Sequence, residues 1–379
     1  MTDTHFDVIV VGAGGAMGSS TCFELARRGV RLLGLDQAGI AHGVGSSHGL
    51  SRMIRLAYYE HPDYVPLLRR AYERWRELEA LSNQRILEMT GAIYAGPAGC
   101  ELVEGSRASA TQHGIAHEML DRQEIAHRFP LLSLPDDHVG LFEPAGGFVY
   151  PERAITAYAD LATRAGATLR PHEALRAWTS NSVTTDLTTY TCDSLVLCGG
   201  AWTSAIVRDL GIGLRVTRQV MGWSVPGDPA PFAIGRFPCW AVQQPDGSLY
   251  YGFPITDGAP GVKVAHHKPG PVIEPGQARE WTQEDVESIR AIVKQVVPGA
   301  RGAVSVRLCM YTNSPDQHFI IGPHPHHPSV ILACGFSGHG FKFASVVGEV
   351  LADLALDGRT KWPVGFLSPT RFGRPGSAQ

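Results

Sequence analysis

The sequence lacks any apolar run close to the roughly 18 residues that a membrane-spanning helix requires. Its first residues carry no basic segment ahead of the apolar stretch, as a secretory signal peptide would. Its last residues contain no targeting tripeptide. Together these absences predict a cytoplasmic protein without a membrane partner.

Paired cysteines are also missing. The seven cysteines are scattered along the chain and include no Cys-x-x-Cys pair, so neither a disulfide framework nor a zinc site of common spacing is indicated. Histidines cluster at residues 323–327 (PHPHH), but the prolines predict a stiff, exposed loop. Since no acid or cysteine completes a familiar ligand spacing there, we expect no metal.

An excess of charge of one sign is likewise absent. The formal net charge is -3 and charged residues make up 18% of the chain, so no basic field indicates a nucleic-acid partner. The length of 379 residues is long for one domain and suggests two.

The N-terminal segment combines a strand, a glycine loop, a helix and a second strand. Residues 6–11 are rich in Val and Ile, as in a buried parallel strand, and residues 19–28 have helical spacing. The glycines of the loop are Gly12, Gly14, Gly15 and Gly18. The second strand, 30–35, ends at Asp36. This order predicts a pyrophosphate at the helix N-terminus and a ribose hydroxyl bound by Asp36.

The glycine spacing departs from the usual GxGxxG, because Gly18 lies one position late. Either the loop carries an extra residue, or Ala13, Gly15 and Gly18 form the motif. An acid at position 36 disfavours the 2′-phosphate of NADP, so NAD or FAD is favoured. The loop alone does not distinguish these two.

Buried-strand patterns return at residues 193–200 and 329–334, and each leads into a glycine turn. Between them, residues 250–253 and 261–265 are typical of neighbouring antiparallel strands. Helical spacing recurs over residues 62–80, 151–166, 281–296 and 344–356. The glycine turn after residue 334 could set a second helix N-terminus against a flavin ring, which favours FAD.

The predicted fold class is therefore α/β: a Rossmann-like FAD-binding domain of the glutathione reductase type, with an inserted, mostly antiparallel β-sheet substrate domain. We assign residues 1–85, 146–215 and 312–379 to the FAD-binding domain. Residues 86–145 and 216–311 are assigned to the substrate domain.

Four segments carry a family resemblance: DVIVVGAG with Asp36, GSSHGLSRMIR (Gly45–Arg55) with the YVPL that follows, RLCMYTNSPDQHFIIG (307–322) and GFSGHGFKF (Gly335–Phe343). In these segments the chain resembles the monomeric sarcosine oxidase family of flavin amine oxidases, within the D-amino-acid-oxidase-like group. The last two segments are specific to this family. The resemblance implies FAD as cofactor.

In the RLCMYT context, the resemblance implies that Cys309 carries FAD covalently, through a thioether to the flavin 8α-methyl group. Without the family, a lone cysteine in a strand is most simply a buried small hydrophobe. Both interpretations stay open at this stage.

The resemblance also places Ser47, His48 and Arg52 next to the flavin. Arg52 is expected over the flavin face opposite the substrate or at the edge of the substrate site. The alternative for His48 is that it makes only a polar contact to the flavin. The alternative for Arg55, which lies beside these residues, is a structural ion pair.

In GFSGHGFKF, the resemblance implies that Gly335, Gly338 and Gly340 form a flavin-facing turn. It further implies that Lys342 holds the carboxylate of the substrate, with Arg52 as its companion. A solvated helix residue is the alternative for Lys342.

Lys263 matches the lysine that activates oxygen in the family, where a cation stabilises the anion that develops on oxygen. Alternation turns its side chain away from those of its valine neighbours, so a surface lysine is the alternative. Tyr251, His267 and Tyr311 match positions lining the substrate pocket, where tyrosines can serve simply as walls.

The implied reaction oxidises the C–N bond of a secondary amino acid, N-methyl or cyclic, such as sarcosine, and reduces O₂ to H₂O₂. A flavin enzyme for another substrate, such as a proline-like imino acid, a glycated amino acid or a hydroxy acid, is the first alternative. A non-catalytic FAD-binding protein is the second. We expect a monomer whose partners are its amino acid substrate and O₂.

Overall fold

The computed structural model describes residues 4–267, 270–277 and 280–373. Their strands form three sheets, two of eight strands and one of three. The helices of the described residues are α1 (Ala16–Ala26), α2 (Val65–Ser82), α3 (Glu101–His113), α4 (Arg122–Arg128), α5 (Pro151–Arg164), α6 (Thr203–Ile206), α7 (Gln283–Val296) and α8 (Ala344–Asp357). None of these helices is long and apolar enough to cross a membrane.

The first sheet contains the predicted parallel strands. Its strands are β1 (His5–Val11), β2 (Leu32–Asp36), β9 (Thr168–Pro171), β10 (Leu175–Thr179), β11 (Ser182–Thr185), β12 (Thr189–Leu197), β18 (Ile320–His324) and β19 (His327–Cys334). The strands β19, β12, β1, β2 and β9 run parallel in that order. Because both faces are covered, β1 and β2 consist almost wholly of buried apolar residues.

The second sheet is mostly antiparallel. Its strands are β5 (Ala92–Pro97), β6 (Glu118–Leu120), β7 (His138–Glu143), β13 (Arg215–Ser224), β14 (Cys239–Gln243), β15 (Leu249–Phe253), β16 (Val262–His266) and β17 (Val304–Asn313). A small third sheet joins β3 (Arg52–Ile54), β4 (Leu87–Met89) and β8 (Gly147–Val149). In the second sheet only the β5–β14 pairing is parallel.

The two faces of the second sheet carry different residues. Helix α7 packs on one face, where its Ile289 lies in one apolar cluster with Val262 and Val264. Successive side chains alternate between faces, so Lys263 points to the other one. Strand pairing sets Lys263 opposite Trp223, and Cys309 opposite Gln219. In-register partners share a face, so this second face also carries Tyr251 and Tyr311.

The predicted domain division follows the sheets closely. Residues 1–85, 146–215 and 312–379 contain all strands of the first sheet, whereas 86–145 and 216–311 contain most of the second. The boundary between 311 and 312 falls inside β17, and β13 begins at Arg215. The division itself stays a prediction.

Several predicted boundaries shift in the structure. Helix α1 begins at Ala16, three residues before the predicted start, because the glycine loop turns directly into it. Residues 62–64 form a separate 3₁₀ turn before α2. Residues 323–327, predicted as an exposed loop, form the turn and adjoining strand ends of the β18–β19 hairpin, where Pro323, Pro325 and His326 are exposed but His324 is buried.

The contact between α1 and α8 depends on a glycine. A Cβ atom at Gly348 would lie 2.7 Å from the carbonyl carbon of Ser20. We expect Gly348→Ala to destabilise the protein by about 1–3 kcal/mol through overpacking. Gly227→Ala is the matched control, because nothing lies within 4 Å of the added atom. Equal urea midpoints for the two variants would contradict this close contact.

Candidate active site

A cavity of about 390 Å³ runs along the C-terminal edge of the parallel strands. The glycine loop after β1 forms one wall, and the left-handed backbone at Gly12 (φ 92°) makes the turn. A Cβ atom at Gly12 would lie 2.8 Å from the carbonyl carbon of Cys198. At Gly18 the added atom would lie 2.5 Å from the carbonyl carbon of Gly12. Packing therefore requires glycine at both positions.

The third restrictive glycine is Gly14, whose added Cβ atom would lie 2.8 Å from Cγ of Asp36. A side chain at Gly15 would meet only ordinary contacts. The close-packed set is thus Gly12, Gly14 and Gly18, which supports a loop with one extra residue over the alternative motif of Ala13, Gly15 and Gly18.

Asp36 ends β2 at the rim of this cavity. Its carboxylate accepts hydrogen bonds from the backbone N–H groups of Gly14, at 2.9 Å, and Ala38, at 2.8 Å. These bonds leave lone pairs for further donors. An acid at this end and a backbone that admits close approach fit the adenosine and pyrophosphate parts of a dinucleotide.

The far end of the cavity is formed by the GFSGHGFKF turn. Its backbone is left-handed at Gly335, Ser337 and Gly338. A Cβ atom at Gly338 would lie 2.5 Å from the ring of Tyr311, and Gly340 packs against the ring of Phe336 in the same way. These glycines let the backbone line this end of the cavity. The cavity therefore has a backbone-lined site at each end, which suits a two-ended cofactor such as FAD.

Cys309 lies beside this far end. Its side chain is 4% exposed, and Sγ lies 3.6 Å from the carbonyl oxygen of Ser46 and 3.7 Å from Nη2 of Arg52. The next residues along β17, Met310 and Tyr311, line the dinucleotide cavity. The thiol therefore faces the 45–52 loop rather than the centre of the apolar core.

The predicted flavin contacts of that loop divide between two cavities. Ser47 and Arg52 line the dinucleotide cavity, with Ser46 beside them. His48 instead lines a separate cavity of about 540 Å³ together with Cys309. Burial and the charge of Arg52 lower the pKa of His48 to about 4, so it is neutral. Its Nε2 has no hydrogen-bond partner among the described residues.

Lys263 is buried, and the surface interpretation is wrong. Its side chain is 1% exposed, and Nζ donates to the carbonyl oxygens of Gly49 and Ser51, each at 2.7 Å. The ammonium also lies 4.9 Å from the ring centre of Phe253. Burial, followed by the repulsion of Arg52, lowers the pKa of Lys263 well below its usual value.

A smaller cavity of about 80 Å³ adjoins the dinucleotide cavity. The two share Arg52, Tyr311, Gly338 and Phe341. The small cavity is also lined by Tyr251, His267, Cys309 and Lys342, so it gathers most of the predicted substrate-site residues. Nδ1 of His267 lies 3.3 Å from the Tyr311 hydroxyl, and the His267 and Tyr251 rings meet edge to face.

The pairing of Arg52 with Lys342 stays a prediction, and both residues line the small cavity. The guanidinium of Arg52 is bound by the carbonyls of Ser46 and Ser51, on the Cys309 side. Arg55 is the cation whose charge acts on Lys342, and both residues line the small cavity. β3 ends at Ile54, so Arg55 leaves the strand where it can reach this cavity.

Arg55 also forms a structural ion pair, which was the alternative interpretation of this residue. Its Nη2 lies 2.7 Å from both carboxylate oxygens of Glu60, and its guanidinium lies over the rings of Tyr58 and Tyr59. Burial opposes ionisation of Glu60, but Arg55, His339, Lys342 and a backbone hydrogen bond together outweigh it and lower the pKa of the carboxyl. The pair therefore remains charged inside the protein.

Lys342 is buried, which contradicts the solvated alternative. Its Nζ donates to the carbonyl oxygen of His339 at 2.9 Å and lies 5.1 Å from the ring centre of Tyr58. Burial, and then the charge of Arg55, lower the pKa of Lys342 to about 7. Burial also lowers the pKa of His267 to about 4 and that of His339 to about 3.

Sequence reasoning missed Glu60, His339 and Glu152. Glu60 follows two tyrosines just after the basic GSSHGLSRMIR segment, and this charge pattern was the available signal. His339 lies inside GFSGHGFKF and accepts or donates a 2.5 Å hydrogen bond with Tyr58. Glu152 gave no signal, because its partners, Gly49 and Leu50, lie about a hundred residues away.

The hairpin histidines lie close to an aspartate. Ligand atoms of Asp209, His324 and His327 lie within 4.8 Å of one another. However, Nδ1 of His324 accepts the backbone N–H of His326, so the neutral ring carries its proton on Nε2. That nitrogen lies 3.0 Å from the Asp209 carboxylate. The expectation of no metal stays a prediction.

Comparison with known proteins identifies the family. The profile of the FAD dependent oxidoreductase family (DAO) matches residues 7–354. The chain belongs to the FAD-dependent oxidoreductase family. Its sequence is 43% identical over 376 residues to a monomeric sarcosine oxidase of Streptomyces avermitilis, covering 97% of this chain and 98% of that protein. It is 34% identical over 381 residues to an N-methyl-L-tryptophan oxidase of Salmonella arizonae, covering 97% and 99%.

A solved structure shares this fold. NikD, an unusual amino acid oxidase essential for nikkomycin biosynthesis, superposes with a TM-score of 0.84 at 26% identity, over 97% of this chain and 98% of NikD. The predicted fold class, the resemblance to the sarcosine oxidase family and FAD as cofactor are thereby confirmed. The protein is a flavin-dependent oxidoreductase.

Proposed function

We propose that this protein oxidises the C–N bond of a small secondary amino acid, such as sarcosine, with O₂ as electron acceptor. One observation carries the proposal: a small cavity that adjoins the cofactor cavity is lined by two buried basic side chains, Arg55 and Lys342. The names of the sarcosine and N-methyl-L-tryptophan oxidase relatives support the same substrate class. When bound, FAD would accept a hydride equivalent from the carbon attached to the amine nitrogen, which leaves a C=N bond, and would pass the two electrons to O₂.

The two cations are proposed to bind the carboxylate of the substrate. A lysine offers three donors, of which Lys342 uses one on the His339 carbonyl. Arg55 offers five donors, of which it uses two on Glu60 and one on the Ala57 carbonyl, so both cations keep donors for a ligand. A carboxylate bound there fixes the orientation of the amino acid relative to the cofactor cavity.

His267, Tyr251 and Tyr311 are proposed to surround the amine. Because the pKa of His267 is lowered to about 4, its ring is neutral and can accept a hydrogen bond without repelling an amine. Burial likewise raises the pKa of Tyr251, so its hydroxyl stays protonated. These residues can hold the amine by hydrogen bonds, and no strong base is required of them.

The size of the cavity favours a small substrate. Its volume of about 80 Å³ is well below the roughly 300 Å³ at which pockets begin to hold drug-sized ligands. Leu249, Met221 and Phe341 close it with apolar side chains. We therefore favour sarcosine or a cyclic analogue over an aromatic N-methyl amino acid.

Lys263 is proposed to assist the reduction of oxygen. Its Nζ is held in an apolar setting by two carbonyls, and as an ammonium there it supplies a fixed charge that stabilises a developing anion strongly. We further propose a monomer in the cytoplasm, in keeping with the name of the monomeric sarcosine oxidase relatives.

A panel of N-methyl, cyclic, glycated and hydroxy acids, assayed for peroxide release under air, tests the function. We expect turnover of sarcosine or another small secondary amino acid and little with N-methyltryptophan, since the latter exceeds the cavity. Turnover with artificial acceptors only would favour the dehydrogenase alternative. Failure of every substrate to bleach the flavin anaerobically would overturn the proposal.

Covalent attachment at Cys309 is tested by acid precipitation. We expect the yellow colour to stay with the wild-type polypeptide and to leave it in Cys309→Ser, because serine cannot form the thioether. Cys334→Ser is a matched control, since Cys334 is equally buried but lies in β19. Retention of covalent flavin by Cys309→Ser would show that another residue is the anchor.

Carboxylate binding should depend on pH through Lys342. Its pKa is lowered to about 7, so the ammonium is present below pH 7 and is lost above it. The dissociation constant of propionate, read from the flavin spectrum, should thus be flat below about pH 7 and rise about tenfold per unit above it. Lys342→Met should bind weakly at every pH. The same slope in that variant would refute the assignment.

Oxygen reduction at Lys263 is tested by separating the half-reactions. Lys263→Met should slow reoxidation of the reduced enzyme by about a hundredfold or more, because the stabilising charge is removed. Reduction by substrate should change by less than about threefold. Comparable slowing of both half-reactions would remove the proposed role.

A further inference from the structure

The carbonyls that bind Lys263 belong to a strained turn. Ser51 N–H donates to the Gly49 carbonyl at 2.8 Å, which closes a three-residue turn around Leu50. The backbone of Leu50 is left-handed (φ 68°), as is that of Gly49 (φ 101°). A γ-turn with a positive central φ is rare and strained for a residue with a side chain. Something outside the turn must therefore hold it.

Glu152 lies on the other side of this turn. It belongs to the first turn of α5, and its Oε1 accepts Gly49 N–H at 2.6 Å and Leu50 N–H at 3.2 Å. Two successive N–H groups with left-handed backbone form a concave site for an anion. The carboxylate of Glu152 occupies this site.

The turn thus lies between two opposite charges. Its N–H groups face the carboxylate of Glu152, and its carbonyls at Gly49 and Ser51 face the ammonium of Lys263. If the turn relaxed, the carbonyls would leave a buried ammonium without partners, and such a group gives up its proton. Besides Glu152, the groups whose charges act on Lys263 include Arg52, Cys309 and Cys239, and the charges of Arg52, Glu152 and Lys263 also act on neutral His48.

We propose that Glu152 is a positioning residue for Lys263, holding the 49–51 turn so that its carbonyls keep the lysine in place as an ammonium. Glu152 is predicted to act on oxygen reduction through Lys263 without touching substrate. This inference rests on the proposed role of Lys263 in the reaction with oxygen.

The test measures both half-reactions of the flavin-loaded enzyme by stopped flow across pH. Glu152→Gln keeps the shape but loses the charge, and should slow reoxidation by about tenfold or more at neutral pH. The pH above which reoxidation falls should move to a lower value. Substrate reduction should stay within about threefold. Glu152→Asp, which keeps the charge, should recover part of the rate, and Asp160→Asn on the same helix should behave as wild type.

A double variant separates this inference from the proposed function. Since Glu152 acts through Lys263, Lys263→Met/Glu152→Gln should reoxidise no more slowly than Lys263→Met alone. Additive losses, or wild-type reoxidation in Glu152→Gln beside a slow Lys263→Met, would overturn the role of Glu152 only. Equal slowing of both half-reactions by Glu152→Gln would mean a merely structural role. Fast reoxidation in Lys263→Met would overturn both proposals.

Discussion

The interior of this protein holds cations that cannot stay charged without dedicated partners. Arg55, Lys263 and Lys342 are each no more than 6% exposed. Burying an unpaired charge is costly, so each has a fixed set of acceptors: a carboxylate for Arg55 and backbone carbonyls for the two lysines. The loops that supply these acceptors are consequently as constrained as the sheets they connect.

The cofactor end of the site could be predicted from sequence because its signals are local. The glycine loop, the strands around it and Asp36 are contiguous, and backbone packing at Gly12, Gly14 and Gly18 explains their spacing. The alternation of side chains along a strand correctly predicted that Lys263 points away from the side chains of its valine neighbours. It could not show that a loop 214 residues earlier in the chain covers that face. Burial of Lys263 and His324 depends on such distant contacts, so the surface alternative for Lys263 was wrong and the exposed loop predicted at 323–327 did not anticipate the burial of His324.

Strand register explains why distant residues meet in the substrate site. Tyr251, Lys263, Cys309 and Tyr311 lie on three strands, β15, β16 and β17, and the pairing of the second sheet places them on one face, opposite α7. A shift of one residue in any of these strands would turn its site side chains toward α7. Arg55 joins this site because it follows the end of β3, and it lines the cavity together with Arg52 and Lys342.

Because the pKa of Lys342 is lowered, the charge of the unliganded substrate cavity depends on the pH of the medium. With a pKa of about 7, the amine exchanges a proton with solvent near neutrality. An arriving carboxylate favours the ammonium, so binding draws protons out of solution. Occupancy of the pocket is thereby linked to the proton balance of the medium, and the heat of binding includes the ionisation enthalpy of the buffer that supplies them.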